Sequence, residues 1–404
     1  MRVLIITQYF YPENFKSSDI AFELACRGYE VDALVGIPNY PEGHYKKGYG
    51  IFHKRKEKIL GVNIYRAFQT PRGEKGTNVG LALNYISYVI SSCLWILLCF
   101  LFKKKYDAII VFQTSPITQA IPAVLLKKIK QTPIYLWVLD VWPDSFISSM
   151  PQNKGKILSK IFSNLTEWIY HNSKKILISS SGMAPLICRK HDYSAKIEFF
   201  PNWCDDILAM PNVGEYSLPD NFIVMMAGNI ADGIGIPFII SVLDFFKNDK
   251  RISFVFVGGG SLQDTFRKDC KERGLNNVYF TGQVPFEHIP HLYAKASAMF
   301  LSLKKTDLLH LKVTIPARLQ SYMSAGKPIV AMIDYGGQEL IEKADCGYYV
   351  PAGDSQGMIE LINRVLNQDR QILILKGLNG RKYNESHFKK GICISNLEKI
   401  LQQK

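Results

Sequence analysis

At 404 residues the chain has room for two domains of ordinary size. With 47% hydrophobic and 21% charged residues it is neither a disordered chain nor a coiled coil, and 49 basic against 35 acidic residues leave a net charge of +14. Eight cysteines without a C-x-x-C pair argue against a zinc site or a disulfide framework and point to a reduced, cytoplasmic compartment.

Met1 leads directly into the strand Val3–Thr7, so no signal peptide is expected. A helix Ser18–Arg27, a strand Glu30–Val35 and the turn-rich loop 37–43 follow. Basic clusters come next at Lys46-Lys47 and at Lys54-Arg55-Lys56 with Lys58, then a strand at Val62–Tyr65. From Val79 to Phe102 there is no ionisable Asp, Glu, Lys, Arg or His, and Lys103-Lys104-Lys105 follow at once. That length would cross a bilayer, but a single crossing would part the strands on either side of it, Val62–Tyr65 and Asp107–Phe112. Two readings satisfy both constraints. The segment either dips into one leaflet with its basic neighbours on the headgroups, or is buried in protein with Asn84 and the serines facing inward.

Further strands are expected at Ile109–Phe112, Ile134–Val138, Ile176–Ser179 and Ile197–Phe199. After a proline-containing stretch, 201–219, strands at Phe222–Ala227, Ile252–Val257, Val278–Thr281, Ala298–Ser302 and Pro328–Met332 alternate with helices. Those helices are Gly235–Phe246, Leu262–Arg273, Ile289–Ala294, Arg318–Ser324 and Gln338–Lys343. Short apolar runs bounded by Gly or Pro and alternating with helices predict an α/β protein of two facing, doubly wound, Rossmann-like domains with an inter-domain cleft. The first part, residues 1–205, has 26 basic against 15 acidic residues, leaving +11; the rest has 23 against 20, leaving +3. The charge belongs to the first half, where it suits an anionic membrane surface. It lacks the aromatic interleaving of an RNA platform, so nucleic acid is the least favoured partner.

Loops at strand ends carry the candidate chemistry. Gly258-Gly259-Gly260-Ser261 follows the strand ending at Val257, and Asp334-Tyr335-Gly336-Gly337-Gln338 follows the one ending at Met332. Two glycine-rich strand-to-helix turns favour a diphosphate-bearing ligand held at helix N-termini. No G-K-[ST] follows either, and Gly233-Ile234-Gly235 has Phe238 where a dinucleotide fingerprint needs glycine. Arg318, beside Pro316-Ala317, either grips a diphosphate and stabilises it as a leaving group or is a surface arginine. Asp140, beside Trp142, either meets sugar hydroxyls and assists proton transfer or caps the following turn.

In order and spacing the motifs resemble a GT-B-fold nucleotide-sugar glycosyltransferase of family 4, most closely the branch of L-fucosamine and related transferases of capsule and O-antigen assembly. They are 8–13 (QYFYPE), 38–43 (PNYPEG), 140–145 (DVWPDS), 201–205 (PNWCD), 227–230 (AGNI), 315–318 (IPAR) and 324–328 (SAGKP). The resemblance implies a metal-independent, cofactor-free, retaining transfer from a UDP-sugar, the sugar an N-acetylated or deoxy-amino hexose, to a polyprenyl-diphosphate-linked saccharide. It places the enzyme on anionic lipid at the cytoplasmic face of the inner membrane. It also implies an acceptor domain at 1–205, a donor domain at 206–380 and a last segment, 381–404, whose helix Ile392–Leu401 returns to the first domain.

On these grounds Arg318 and Asp140 are the catalytic candidates. Gly228, Asn229, Gly258, Gly259, Gly260, Val284, Ser321, Gly336, Gly337 and Gln338 form the donor side, and Lys16, Ser17, Ser18 and Trp142 the acceptor side. The chain departs from the family at several places. Val313 and Ser321 stand where the wider family carries two glutamates, Asn229 and Ile234 where it often carries Arg and Lys, and Phe15-Lys16-Ser17-Ser18 where glycine is usual. A UDP-sugar epimerase and a non-catalytic sugar-nucleotide-binding subunit are the alternatives.

Overall fold

The computed structural model describes residues 1–73, 78–148, 155–204, 206–207 and 210–403; Lys75 and Asp205 lie outside them. The chain forms two compact units, Met1–Phe200 with Ile394–Lys404, and Pro201–Cys393.

The first unit is built on an eight-stranded sheet of order β3-β4-β2-β1-β5-β6-β7-β8. Its strands are β1 (Arg2–Ile6), β2 (Glu30–Gly36), β3 (Lys56–Ile59), β4 (Val62–Ala67), β5 (Ala108–Gln113), β6 (Ile134–Val138), β7 (Lys175–Ile178) and β8 (Ile197–Phe199). Residues 3–6 of β1 and all of β5 and β6 are buried, which is why these strands read as unbroken apolar runs. Each fully buried Ile or Leu stabilises by roughly 1.5–3 kcal/mol. The sheet is parallel except at one edge, where β3 pairs antiparallel with β4. The sequence reading took residues 54–58 as a basic cluster; the structure makes most of it this edge strand, alternately exposed and half-buried.

Helix α1 (Lys16–Cys26) follows β1. Helix α2 (Asn78–Leu98) follows β4, and α3 (Ile121–Lys130) joins β5 to β6. The C-terminal helix, Lys390–Gln402, packs on this unit: Arg27 Nη1 donates to Glu398 Oε2 at 2.6 Å, and Tyr135 Oη to the Leu401 carbonyl at 3.3 Å.

Helix α2 is inside out by the standard of a soluble core helix. Asn84, Tyr88, Ser92 and Ile96 face inward with no exposure, whereas Val79, Leu83, Ile86, Ile90, Leu94 and Leu97 form an outward stripe, each at least 41% exposed. Polar side chains pin the inward face. Gln8 Nε2 donates to Asn84 Oδ1 at 2.7 Å, the Thr70 N–H to Ser87 Oγ at 2.9 Å, and Tyr88 Oη to the Leu34 carbonyl at 3.3 Å. The helix is therefore not buried in protein, one of its two expected states. An amphipathic helix packed on a water-facing core turns its polar side out; this one does the reverse.

Beyond α2, Lys103 turns inward and away from its exposed neighbours Lys104 and Lys105. Its Nζ reaches Asp32 Oδ2 at 2.8 Å and lies 3.8 Å from the centre of the Tyr65 ring. Asp32 also accepts from Arg2, Asn63 and Tyr106. Burial alone would raise the Asp32 carboxyl, but the bonds from Lys103, Tyr106 and Asn63 outweigh it and hold the group below the usual carboxylate range.

The second unit holds a six-stranded parallel sheet of order β11-β10-β9-β12-β13-β14. The strands are β9 (Phe222–Ala227), β10 (Ile252–Val257), β11 (Val278–Gly282), β12 (Ala298–Ser302), β13 (Ile329–Met332) and β14 (Gly347–Val350). Its two faces are covered by separate apolar clusters, one around Phe254, Ile239 and Ile362, the other around Val255, Leu319 and Tyr322.

Candidate functional site

At the carboxyl edge of the second sheet the turns after β9 and β10 interlock. The Gly228 N–H donates to the Val257 carbonyl at 2.9 Å and the Ile230 N–H to the Gly259 carbonyl at 2.8 Å. Gly258, at φ +120°, approaches so closely that a Cβ there would lie 2.3 Å from the Gly228 carbonyl oxygen. The loop after β11 flanks the same turn, for a Cβ on Gly259 would meet Gln283 at 3.7 Å. Val284, the next residue, packs against the cluster beneath the sheet.

Arg318 comes to this place from the helix Ala317–Ser324. Its Nη2 donates to the Asn229 carbonyl, and its Nε lies where a Gly228 Cβ would be, at 2.7 Å. Ser321, one turn further on, is 3.3 Å from Tyr293 Oη, and Tyr322 Oη is bonded to both the N–H and the carbonyl of Ala227. Burial raises the phenols of Tyr293 and Tyr322, so both are neutral hydrogen-bonding groups at pH 7. The fold thus gathers Arg318, Ser321, Gly228, Asn229, Gly258, Gly259 and Val284 of the expected donor side. A guanidinium above backbone turns that no side chain can occupy is suited to a diphosphate. Gly260, at φ +152°, closes against the Ile230 carbonyl.

Gly336, Gly337 and Gln338 are placed otherwise than the sequence reading had them. They are not a turn but part of the first turns of the helix Tyr335–Ala344, which begins three residues earlier than expected. Gly336 and Gly337 are buried, a Cβ on Gly337 would strike Ile333 at 2.4 Å, and Gln338 Nε2 donates to the Ile333 carbonyl at 2.7 Å. Gly337 here serves close packing of the helix on Ile333, the residue after β13. The helix N-terminus has no side-chain cap and sits at the carboxyl edge, two strands from β9.

In the first unit Asp140 Oδ2 accepts from both the N–H (3.0 Å) and the Oγ (2.8 Å) of Ser115. Trp142 is 4% exposed, bonded through Nε1 to Ser115 Oγ at 3.0 Å and stacked on Phe146. Ser17 and Ser18 hold the loop after β1, Ser17 Oγ donating to the Tyr9 carbonyl and Ser18 Oγ accepting from the Tyr11 N–H. Lys16 pairs with Asp19 at 3.5 Å.

The sequence reading passed over Glu13, whose buried carboxylate accepts from the N–H groups of Asn39, Tyr40 and Phe10. It lay inside a quoted motif, but its partners in the 37–43 loop gave no local signal. Burial, the largest influence, raises its carboxyl despite these donors.

Residues 215–376 match the family model described as Glycosyl transferases group 1. The chain is 23% identical over 249 residues to "Probable glycosyltransferase WbjE" of Pseudomonas aeruginosa, an alignment covering 58% of this chain and 61% of that one. It is 27% identical over 121 residues to the "O-antigen chain mannosyltransferase C" of Escherichia coli, covering 30% and 31%. The chain thus spans less than two thirds of these relatives. Among solved structures, Anabaena HepE in complex with UDP and glucose superposes with a TM-score of 0.67 over the whole of both chains at 15% identity. The fold is GT-B, and the match to the glycosyl transferases group 1 model lies within the second unit.

Proposed function

We propose that this chain moves a sugar, an N-acetylated or deoxy-amino hexose, from a UDP-sugar to a polyprenyl-diphosphate-linked saccharide, with retention and without a metal. It would do so on the cytoplasmic face of the inner membrane, in bacterial O-antigen or capsule synthesis. The observation that carries this reading is Arg318 held over the Gly228–Asn229 turn within a group 1 domain. A guanidinium has five N–H donors, and one bond to Asn229 leaves the others for the diphosphate. Its fixed positive charge then opposes the negative charge that builds on departing UDP. Asn229, Gly259, Gly260 and the uncapped N-terminus at Tyr335 supply backbone N–H groups around it, while the N–H groups of Gly228 and Gly258 are spent on the carbonyls of Val257 and Gly282. On the acceptor side, Asp140 keeps Oδ1 for a sugar hydroxyl while Ser115 holds Oδ2.

The outward apolar stripe of α2, followed by exposed Lys104 and Lys105, supports docking on an anionic leaflet, where a lipid-linked acceptor resides. The UDP in HepE and the O-antigen role in the name of the mannosyltransferase support the donor and pathway class.

The test is incubation of the purified protein with a panel of UDP-sugars and a short-chain polyprenyl-diphosphate saccharide, following product by mass and anomeric configuration by NMR. Transfer with retention is expected. UDP binding without turnover of any donor would overturn the reading in favour of a binding subunit, and an altered UDP-sugar without acceptor in favour of an epimerase.

A further inference from the structure

Arg72 stands at the carboxyl edge of the first sheet, beyond β4, amid three aromatic rings. Its guanidinium carbon lies 5.2 Å from the centre of the Tyr9 ring, 5.3 Å from Tyr40 and 5.9 Å from Tyr85. Tyr9 follows β1, Tyr40 lies in the loop after β2, and Tyr85 is on α2, so three chain segments converge on this one cation. Aromatic faces attract the charge but take few of its N–H groups in directional bonds. Nη2 donates to Tyr85 Oη at 3.0 Å, and Nε is buried with no hydrogen-bond partner among the described residues. No ion pair of Arg72 occurs among the described residues either. Glu13, the buried carboxylate of the adjoining loop, is committed to three backbone N–H groups. By contrast, Arg66 is paired with Glu57 and Lys103 with Asp32. Arg72 has no such anion among the described residues, and it is at the strand edge where ligands of such sheets bind.

We propose that Arg72 is the receptor for a phosphate or diphosphate group, an anion subsite separate from the one at Arg318. Its cage of Tyr9, Tyr40 and Tyr85 keeps the planar fork ordered while leaving donors unmet, so an arriving phosphate gains charge-assisted bonds without first having to order the side chain. Tyr85 lies on the membrane-type helix, which places the subsite beside the lipid-facing stripe. A diphosphate borne on a lipid chain, with its hydrocarbon along α2, therefore fits it. In this respect the inference rests on the acceptor reading above; the anion site itself does not.

The experiment is titration calorimetry of inorganic pyrophosphate and of farnesyl diphosphate into the full chain, with saturating UDP present to fill the donor site, for wild type, Arg72→Gln, Arg72→Lys and Tyr85→Phe. Far-UV circular dichroism and the UDP-induced rise in melting midpoint report folding and the second unit independently. Wild type is expected to bind both ligands and Arg72→Gln at least tenfold more weakly, with Arg72→Lys between them and Tyr85→Phe reduced less. Tighter binding of farnesyl diphosphate than of pyrophosphate, with the same dependence on Arg72, assigns the group to a lipid; equal affinities assign it to a free diphosphate. Equal binding by wild type and a folded Arg72→Gln, or no binding of either ligand by wild type, would overturn the inference. Loss of the UDP effect alone would count against the donor site and leave the Arg72 comparison readable.

Discussion

Arg318 donates a hydrogen bond from Nη2 to the main-chain carbonyl of Asn229, across 89 residues of sequence. The bond fixes a cation over a turn whose own glycine, Gly228, has no room for a side chain, since a Cβ there would meet Arg318 Nε at 2.7 Å. The guanidinium is thus ordered before any ligand arrives, the condition under which a fixed charge is most effective on a developing anion. Arg318→Ala should lower turnover by about 10²-fold or more, the scale of losing one preorganised stabiliser. Steady-state UDP release checks this, with an unchanged circular dichroism spectrum as the control. Unchanged turnover would remove Arg318 from the mechanism.

Gly258→Ala should damage the same place through the backbone. At φ +120° an alanine is strained, and its Cβ would fall 2.3 Å from the Gly228 carbonyl oxygen, so the two turns must part. The expected loss is roughly 1–3 kcal/mol of stability, together with loss of UDP binding. Urea titration and calorimetry measure the two separately. Retention of both would show that the turns tolerate separation.

The Asp32 node should make stability depend on pH. Its folded carboxyl is held below the unfolded value, so its contribution is present above the unfolded pKa and is lost as pH falls through the folded one. Asp32→Asn leaves Lys103 and Arg2 without their shared anion and should cost roughly 3–5 kcal/mol at neutral pH. The gap between wild type and Asp32→Asn in urea titrations should then narrow as the pH drops below about 4. A gap independent of pH would show that the charge contributes nothing.

Charging the outward face of α2 should separate stability from location. Leu83→Glu and Ile90→Glu replace side chains that are 54% and 58% exposed, so folding should change by no more than about 0.5 kcal/mol. Cosedimentation with anionic vesicles should nevertheless be lost. Vesicle binding that survives both substitutions would rule out this stripe as the docking surface.

Most strands were legible because a parallel strand covered on both faces is an unbroken apolar run. Ile134–Val138, Ile252–Val257 and Ala298–Ser302 are found residue for residue. The edge strand Lys56–Ile59 was not, since one face is solvated and its alternating Lys and Glu read as a charge cluster. Gly336 and Gly337 read as a loop because glycine disfavours helix, but the close approach of Gly337 to Ile333, just past β13, overrode that propensity. Arg318 and Asn229 could each be singled out from the motifs around them, whereas the bond between them had no local signal. The same holds for Lys103, indistinguishable from Lys104 and Lys105 until Asp32 is brought beside it. Pairings made by the fold across long separations are what a one-dimensional reading lacks.

The central claim is a UDP-sugar site organised by Arg318, and thermal unfolding of wild type and Arg318→Ala with UDP, GDP, TDP, ADP and NAD tests it most directly. A ligand that binds the folded state raises the melting midpoint by mass action. The account predicts a rise with UDP that is largest in the panel and is lost in Arg318→Ala. A UDP shift of equal size in both proteins, or no shift with UDP in wild type, would contradict it.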